Sequence, residues 1–443
     1  MSPTMASRLV DRVRQILASQ SSLFTNASAM AFGTIVSAGL GFVYWWFAAR
    51  VFPAETVGIA AAVISIMNLC GLMGEFGLGT LLVGEIPKRK ERAPGLVLAS
   101  LYVAFVLSVI CAVAVVMLCR WVAPVAAAAF GSMAVMVLFV VGCSLNGVTL
   151  TLDQAFVGML RGTMQMTRNL AFAVIKLVLL GFAAWFSAGQ GGPTAILASW
   201  VIGIFASIAT LLVIKNEWRW RPLEQAPDWT GLRGLTRLTF DHHVLNLVTQ
   251  APGFLLPFLV AVTISPEANA AFFAAWMLVS VTLLIPAALT TVLFTIGRAE
   301  QARLPERLRS SLMVSIAVGL ATAIGFLLFS RTALWLFNPR YPEIAGSSLQ
   351  LLGFAVPAIA IKYHYIALKR IDDAMLSASF VLGIGGLAEV GFAAIGAYFG
   401  GLSGMTGGWL LACLSQAAYM AVPVLRVAFE RKPATDGLRA SRA

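Results

Sequence analysis

Apolar residues along this chain neither alternate with polar ones nor recur at helical spacing. They gather into long, nearly unbroken stretches separated by short polar gaps. An apolar helix needs roughly 20 residues to cross the hydrocarbon core of a bilayer. On that rule the pattern predicts twelve membrane-spanning helices, over 23–49, 56–84, 95–119, 132–152, 169–188, 194–214, 241–263, 268–297, 310–330, 344–366, 374–398 and 404–425. The fold class that follows is an all-α membrane protein.

The polar gaps are of two kinds. Of the 31 lysines and arginines, 26 fall in alternate gaps and the two ends, four fall in the remaining gaps, and Lys176 alone lies well inside a span. Loops kept in the cytoplasm are enriched in basic residues. The basic gaps hold Lys88 to Arg92, Arg161 and Arg168, Lys215 to Arg237, Arg298 to Arg309, and Lys362 to Arg370. The sparse gaps hold Arg50, Arg120, Arg331 and Arg340. The expectation is a multi-pass protein of a bacterial inner membrane with both termini cytoplasmic. Its external loops are too short to build a separate domain. The longest polar stretch, 216–237, contains Pro222, Pro227 and Gly231 and reads as a linker between an N-terminal lobe, 1–222, and a C-terminal lobe, 223–443.

Composition agrees: 59% hydrophobic and 11% charged is too apolar for a water-soluble surface. A net charge of +12 would suit nucleic acid, but the basic residues mark successive loops on one membrane face instead of forming one groove. Nucleic acid is therefore not an expected partner; membrane lipid is. The five cysteines lie within or at the ends of spans, with no CxxC, which supports neither disulfides nor a metal site. No cofactor is implied. Met1–Gln20, with Arg8, Arg12 and Arg14, reads as an amphipathic cytoplasmic segment without a cleavage site. Trp45, Trp46, Trp121, Trp185, Trp200, Trp335 and Trp409 lie near external span ends and read as an interfacial aromatic belt.

The two halves echo each other. Phe52-Pro53-Ala54-Glu55 precedes span two and Ser265-Pro266-Glu267-Ala268 precedes span eight. Gly181-Phe182-Ala183-Ala184 in span five matches Gly391-Phe392-Ala393-Ala394 in span eleven, and Trp200 and Trp409 open spans six and twelve. Six spans per half make the repeats parallel, related by an axis along the membrane normal, as in some secondary transporters.

The segment Trp46-Phe47-Ala48-Ala49-Arg50-Val51-Phe52-Pro53-Ala54-Glu55-Thr56-Val57-Gly58, followed by Glu75-Phe76-Gly77-Leu78-Gly79-Thr80, resembles the first helical hairpin of polysaccharide and O-antigen flippases. These belong to the multidrug/oligosaccharidyl-lipid/polysaccharide (MOP) exporter superfamily. The resemblance implies two six-helix lobes around a central cavity and alternating access. It also implies translocation of a polyprenyl-diphosphate-linked oligosaccharide from the cytoplasmic to the periplasmic leaflet. A single chain with two lobes suffices, so a monomer is expected, working beside other polysaccharide-assembly membrane proteins.

Ionisable groups inside spans are functional candidates because burying them is costly. Glu75 lies about ten residues from the cytoplasmic end of span two, roughly 15 Å deep at 1.5 Å per residue. With Glu389 in span eleven it is an ion-coupling candidate; the alternative is a protonated glutamate bonded between helices. Lys176 either snorkels to the interface or helps to bind the lipid diphosphate. The repeat places it near the position equivalent to Glu389, so that the two would face each other across the cavity. Arg50 is a helix-end arginine or a diphosphate contact. Arg161 and Arg168 flank spans four and five, with Asp153 nearby, and attract an anionic headgroup or simply obey the basic-loop rule. Asn246 and Gln250 share a face of span seven and line the cavity or bond a neighbouring helix. His242 and His243 are adjacent and so do not share a face, which argues against metal. Pro252, Pro257, Pro286 and Pro357 are hinges or static kinks.

Two rivals remain. An ion-coupled multidrug exporter would share the fold. A membrane polymerase or ligase would need external catalytic groups, and the external loops offer as charged residues only Arg50, Glu55, Arg120, Glu267, Arg331, Arg340 and Glu343. Glycosyl transfer commonly relies on placed acids and bases, for which this is thin material. No GxxxxGK[ST] motif is present for nucleotide-driven transport.

Overall fold

The computed structural model describes residues 33, 35–89, 91–122, 130–189, 191–213, 225–234, 237–299 and 301–429. The amino-terminal segment, the start of span one, most of the linker and the carboxyl tail lie outside these residues. Every regular element among the described residues is helical.

In chain order the helices are α1 Ile35–Val51, α2 Ala54–Glu75, α3 Leu78–Glu85, α4 Ala93–Val122, α5 Met133–Gly158, α6 Gly162–Phe186 and α7 Pro193–Val213. They continue as α8 Arg237–Thr263, α9 Pro266–Ala299, α10 Leu304–Trp335, α11 Tyr341–Ile371 and α12 Met375–Ala428. Ten of these are long and apolar enough to cross a membrane, and Ile35–Val51 is a shorter apolar helix. The 54 residues of α12 are two helices joined at Gly400 and Gly401, where φ reaches 56°. With α12 counted as two arms, eleven of the twelve expected spans and the described part of the first are helical among the described residues. Large apolar side chains such as Leu328, Phe380 and Leu387 are exposed along these helices. Only lipid can cover such surfaces without cost, so the chain is a multi-pass membrane protein.

Two compact units emerge, Met1–Ala270 and Ala271–Ala443. The division falls later than the linker, and packing explains why. α8 packs on α2, and the buried Asn269 donates its Nδ2 hydrogen to the carbonyl of Gly58 at 2.7 Å. The contact is close enough that a Cβ at Gly58 would run into the carbonyl of Pro266.

In the first unit α2 is the central helix, packed by α4, α5 and α8. Its small residues admit close neighbours. A Cβ at Gly71 would press on Asn146, and one at Gly74 on Ser108. The second unit is built on α10, α11 and α12. The two arms of α12 cross through Gly396, Gly404 and Gly408, where an added Cβ would meet the backbone of the other arm. Pro252, Pro257, Pro286 and Pro357 all remain inside continuous helices.

One expected span differs in form. Span two is not one helix over 56–84 but two, α2 and α3, with a break at Phe76-Gly77.

The part of the linker that is described folds back on α4. The Asp228 N–H donates to the Gly95 carbonyl at 2.9 Å, and Trp229 meets Tyr102 edge to face. Asp228 Oδ1 accepts from the Thr230 hydroxyl and from the amides of Thr230 and Gly231. Those bonds, the Thr230 hydroxyl first, hold its carboxyl below the usual carboxylate range.

Candidate functional site

The ionisable side chains Glu75, Lys176 and Glu389 stand within the spans, each in a different kind of site.

The first is Glu75, at the end of α2. The helix stops there because Phe76 (φ 47°) and Gly77 (φ 78°) both take left-handed conformations. For Phe76 that costs about 1–2 kcal/mol. The Glu75 carboxylate compensates. Its Oε2 accepts the Gly77 N–H at 3.1 Å, and its Oε1 accepts the Gly79 N–H. A negative charge thus meets the free amides and positive dipole end of α3. His243 of α8 completes the group: its Nδ1 lies 3.2 Å from Oε2, although the two are not aligned as a hydrogen bond. The imidazole leans on the Phe76 ring, which also meets Phe240. A Cβ at Gly77 would press on the Thr239 carbonyl and His243 Cβ, each at 3.2 Å. The break in span two is therefore keyed to α8.

The second is Lys176 of α6. It is buried, and its ammonium lies 3.8 Å from the Trp200 ring centre, 4.4 Å from that of Phe172 and 5.0 Å from that of Tyr44. Trp45 packs against Tyr44 and Trp200, and the Tyr44 hydroxyl is fixed by the Ser199 hydroxyl and the Ile196 carbonyl. α6 and α7 come close because position 203 is glycine; a Cβ there would sit 2.9 Å from that of Lys176. Among the described residues no carboxylate pairs with this ammonium. Ring faces take the place of a counter-charge, each such contact being worth about 2 kcal/mol when desolvated.

The third lies in the second unit. Lys362 of α11 donates to Glu389 Oε1 at 2.7 Å. Gln416 donates to the same oxygen at 2.9 Å, and the Trp409 indole donates to Oε2 at 3.0 Å. Both charged partners are buried. Gln416 also reaches the Gly385 carbonyl, and Trp276 stands edge-on to Trp409. Here the charge is neutralised within the site.

The second and third sites share a plan. In each unit the tryptophan that opens a repeat's last span, Trp200 or Trp409, lies against the buried charge of the preceding span, Lys176 or Glu389.

A family model described as "Polysaccharide biosynthesis protein" matches residues 23–296, more than half of the chain. The chain belongs to this family.

No curated protein matches the sequence. Its fold is shared with solved transporters. A multidrug resistance MATE-family transporter of the MOP superfamily, in an inward-facing conformation, superposes with a TM-score of 0.66. The identity is 15%, over 89% of this chain and 96% of the other. The outward-facing conformation of such a transporter gives 0.62 at 17% identity, over 93% and 96%. A MOP-superfamily transporter from Pyrococcus furiosus gives 0.59 at 15% identity, over 92% and 96%. At these identities the likeness is one of fold, and it agrees with the MOP-type architecture of two six-helix repeats.

The remaining candidate residues of the family member divide as follows. Arg168 is not free for an anion: its guanidinium forks onto Asp153, Nε to Oδ1 at 2.7 Å and Nη2 to Oδ2 at 2.6 Å, with Asn169 beside it. Arg161 is half-buried at the start of α6, with Nη1 3.8 Å from the Met164 sulfur. Arg50 is exposed at the end of α1. Asn246 is half-buried and Gln250 exposed on α8. Lys176 and Glu389 each have their partners inside their own unit. Of the tryptophans read as a belt, Trp121 and Trp185 are 88% and 83% exposed, but Trp45 and Trp409 are 6% and 2% exposed and serve the charged sites.

Sequence reasoning missed Lys362, which it placed among the basic loop residues, and gave His243 and Gln416 no role at Glu75 and Glu389. It also missed Asn146, whose Nδ2 bonds Asn68 Oδ1 at 3.0 Å between spans four and two. The available signal for Lys362 was that it precedes Lys369 by two helical turns, well inside the apolar run.

Proposed function

We propose that this protein is a flippase. It carries a polyprenyl-diphosphate-linked oligosaccharide from the cytoplasmic to the periplasmic leaflet of a bacterial inner membrane, with both termini cytoplasmic. Membership of the polysaccharide biosynthesis family, on a fold shared with MOP transporters, is the observation that carries this reading. The sidedness of the basic residues supports the orientation. Relatives in fold described as inward-facing and outward-facing support alternating access as the means.

The chemistry of the substrate assigns roles. A diphosphate needs cationic surroundings as it leaves water. Lys176 supplies positive potential from behind its rings, while Arg161 and Arg50 take direct contacts at the two ends of the path. Asn246 and Gln250 offer hydrogen bonds to sugar hydroxyls. Glu75 is the coupling group. Its charge holds the start of α3, so neutralising it weakens both amide bonds and the contact with His243. Glu389 keeps its charge paired and serves the second unit's architecture. Membrane lipid and the lipid-linked substrate are sufficient partners for a monomer.

The test is depletion of the protein in its own cells. Lipid-linked oligosaccharide should then accumulate out of reach of a membrane-impermeant label added from the periplasmic side. Unchanged labelling, with lost resistance to cationic drugs, would favour multidrug export instead.

A further inference from the structure

The end of α10 and the start of α11 frame a shallow, open cleft of about 340 Å³, lined by Arg331, Thr332, Trp335, Pro339, Pro342 and Glu343. Its two charges are opposite in sign and share the cleft, yet among the described residues neither side chain has an ion-pair or hydrogen-bond partner. Two neighbouring opposite charges left apart suit a ligand that carries both signs itself. Trp335 is 52% exposed at the rim. The cleft opens on the side of the sparse-basic loops, where arginines are few and Arg331 is not explained by loop sidedness.

The surface below the cleft narrows the choice. Leu320, Ile324 and Leu327 are exposed on α10 and recur at the spacing that places them on one face with Arg331 and Trp335. Phe354 is exposed on α11 on the face that carries Glu343. An apolar strip thus runs from the hydrocarbon depth up to a mixed-charge head. That is the outline of a phospholipid, whereas a soluble glycan would have no use for the strip.

We propose that this cleft is a binding site for an aminophospholipid, a lipid with a phosphate and a primary ammonium. Arg331 takes the phosphate through its guanidinium fork. Glu343 accepts hydrogen bonds from the ammonium, and Trp335 closes the site at the interface, where its amphipathic ring belongs. Its acyl chains lie along Leu320, Ile324 and Leu327. A choline headgroup has the same charges but no N–H to donate, so Glu343 discriminates against it. This site is independent of the transport path proposed above.

Lipid retention by the purified full-length protein tests it, with native mass spectrometry in mixtures of phosphatidylethanolamine, phosphatidylcholine and phosphatidylglycerol. The wild type should retain phosphatidylethanolamine about tenfold over phosphatidylcholine, the usual scale of a charge-assisted hydrogen bond. Glu343→Gln should abolish that preference while phosphatidylcholine is still held, and Arg331→Gln should weaken both. Both positions are exposed, and unchanged melting temperatures would confirm intact folds. Equal retention of the three lipids by the wild type overturns the proposal. So does a preference for phosphatidylglycerol, or a Trp335 signal that answers to soluble oligosaccharide and not to phosphatidylethanolamine.

Discussion

Lys362→Met removes one ammonium and keeps an unbranched apolar stem of similar length. Glu389 is left buried, with only the Trp409 indole and the Gln416 amide to hold its charge. Breaking a buried ion pair from one side costs about 3–5 kcal/mol. The two surviving bonds to a charged acceptor place this case at the lower end, about 3 kcal/mol. For a unit of this size each kcal/mol moves the melting temperature by about 2–4 °C, so a fall of about 6–12 °C is expected. In the double variant Lys362→Met/Glu389→Gln no charge is stranded and the new amide still accepts from Trp409. It should recover more than half of the loss. The assay is thermal unfolding followed by tryptophan fluorescence in one detergent at one scan rate, because such transitions depend on rate. A single variant within about 2 °C of wild type would mean that Lys362 and Glu389 do not act as a buried ion pair. A double variant as unstable as the single one would mean that packing, not charge, is what Lys362 supplies.

Other consequences are testable in the same preparation. Gly77→Ala should destabilise by at least about 1–2 kcal/mol, through its left-handed φ and the pressure of a Cβ on Thr239 and His243. Gly84→Ala, in open helical space, should be neutral or slightly stabilising, and equal melting temperatures for the two would contradict the keyed break. Trp200→Leu should cost Lys176 its nearest ring, about 2 kcal/mol, and Lys176→Met in the same background should restore much of it; no recovery would deny a cation–ring role. Arg168→Lys should behave as a loss, not a conservative change, because an ammonium cannot fork onto Asp153; unfolding at wild-type temperature would refute this. The Asp228 carboxyl, held below its ordinary value, contributes order to the linker that is fully present above about pH 4 and is lost as pH falls through the lowered value. Amide exchange at Thr230 and Gly231 should therefore accelerate on acidification, beyond the intrinsic change, and Asp228→Ala should show the acid behaviour at neutral pH.

Much of this architecture was legible in the chain because the bilayer dictates length and sidedness. Spans must be about 20 residues long and loops must carry their charges on one side, and both rules are written in the order of residues. The intramembrane charges Glu75, Lys176 and Glu389 stood out for the same reason. Their partners did not. Glu75 is linked in sequence to Gly77 and Gly79, but nothing local says that Phe76 will take a left-handed conformation; that choice depends on His243 and Phe240, more than 160 residues away. Lys362 looked like a loop residue because the basic rule was already satisfied by Lys369 and Arg370, whereas α11 runs on to Ile371 and leaves Lys362 inside. Trp200 and Trp409 sit at span ends, where tryptophan usually faces the interface. Only packing shows that their faces and N–H groups turn inward to Lys176 and Glu389. The proximity of Asp153 to Arg168 was visible, but the fork between them was not. Asn269 reaching Gly58 is likewise a bond that no linker composition announces.

The most direct measurement is flipping in reconstituted liposomes. A labelled polyprenyl-diphosphate oligosaccharide would be followed under an imposed pH gradient with wild type and Glu75→Gln. Wild type should move the lipid between leaflets faster with the gradient, and Glu75→Gln, still folded, should lose the response. Failure of folded wild type to flip any of a panel of lipid-linked sugars would contradict the proposed function.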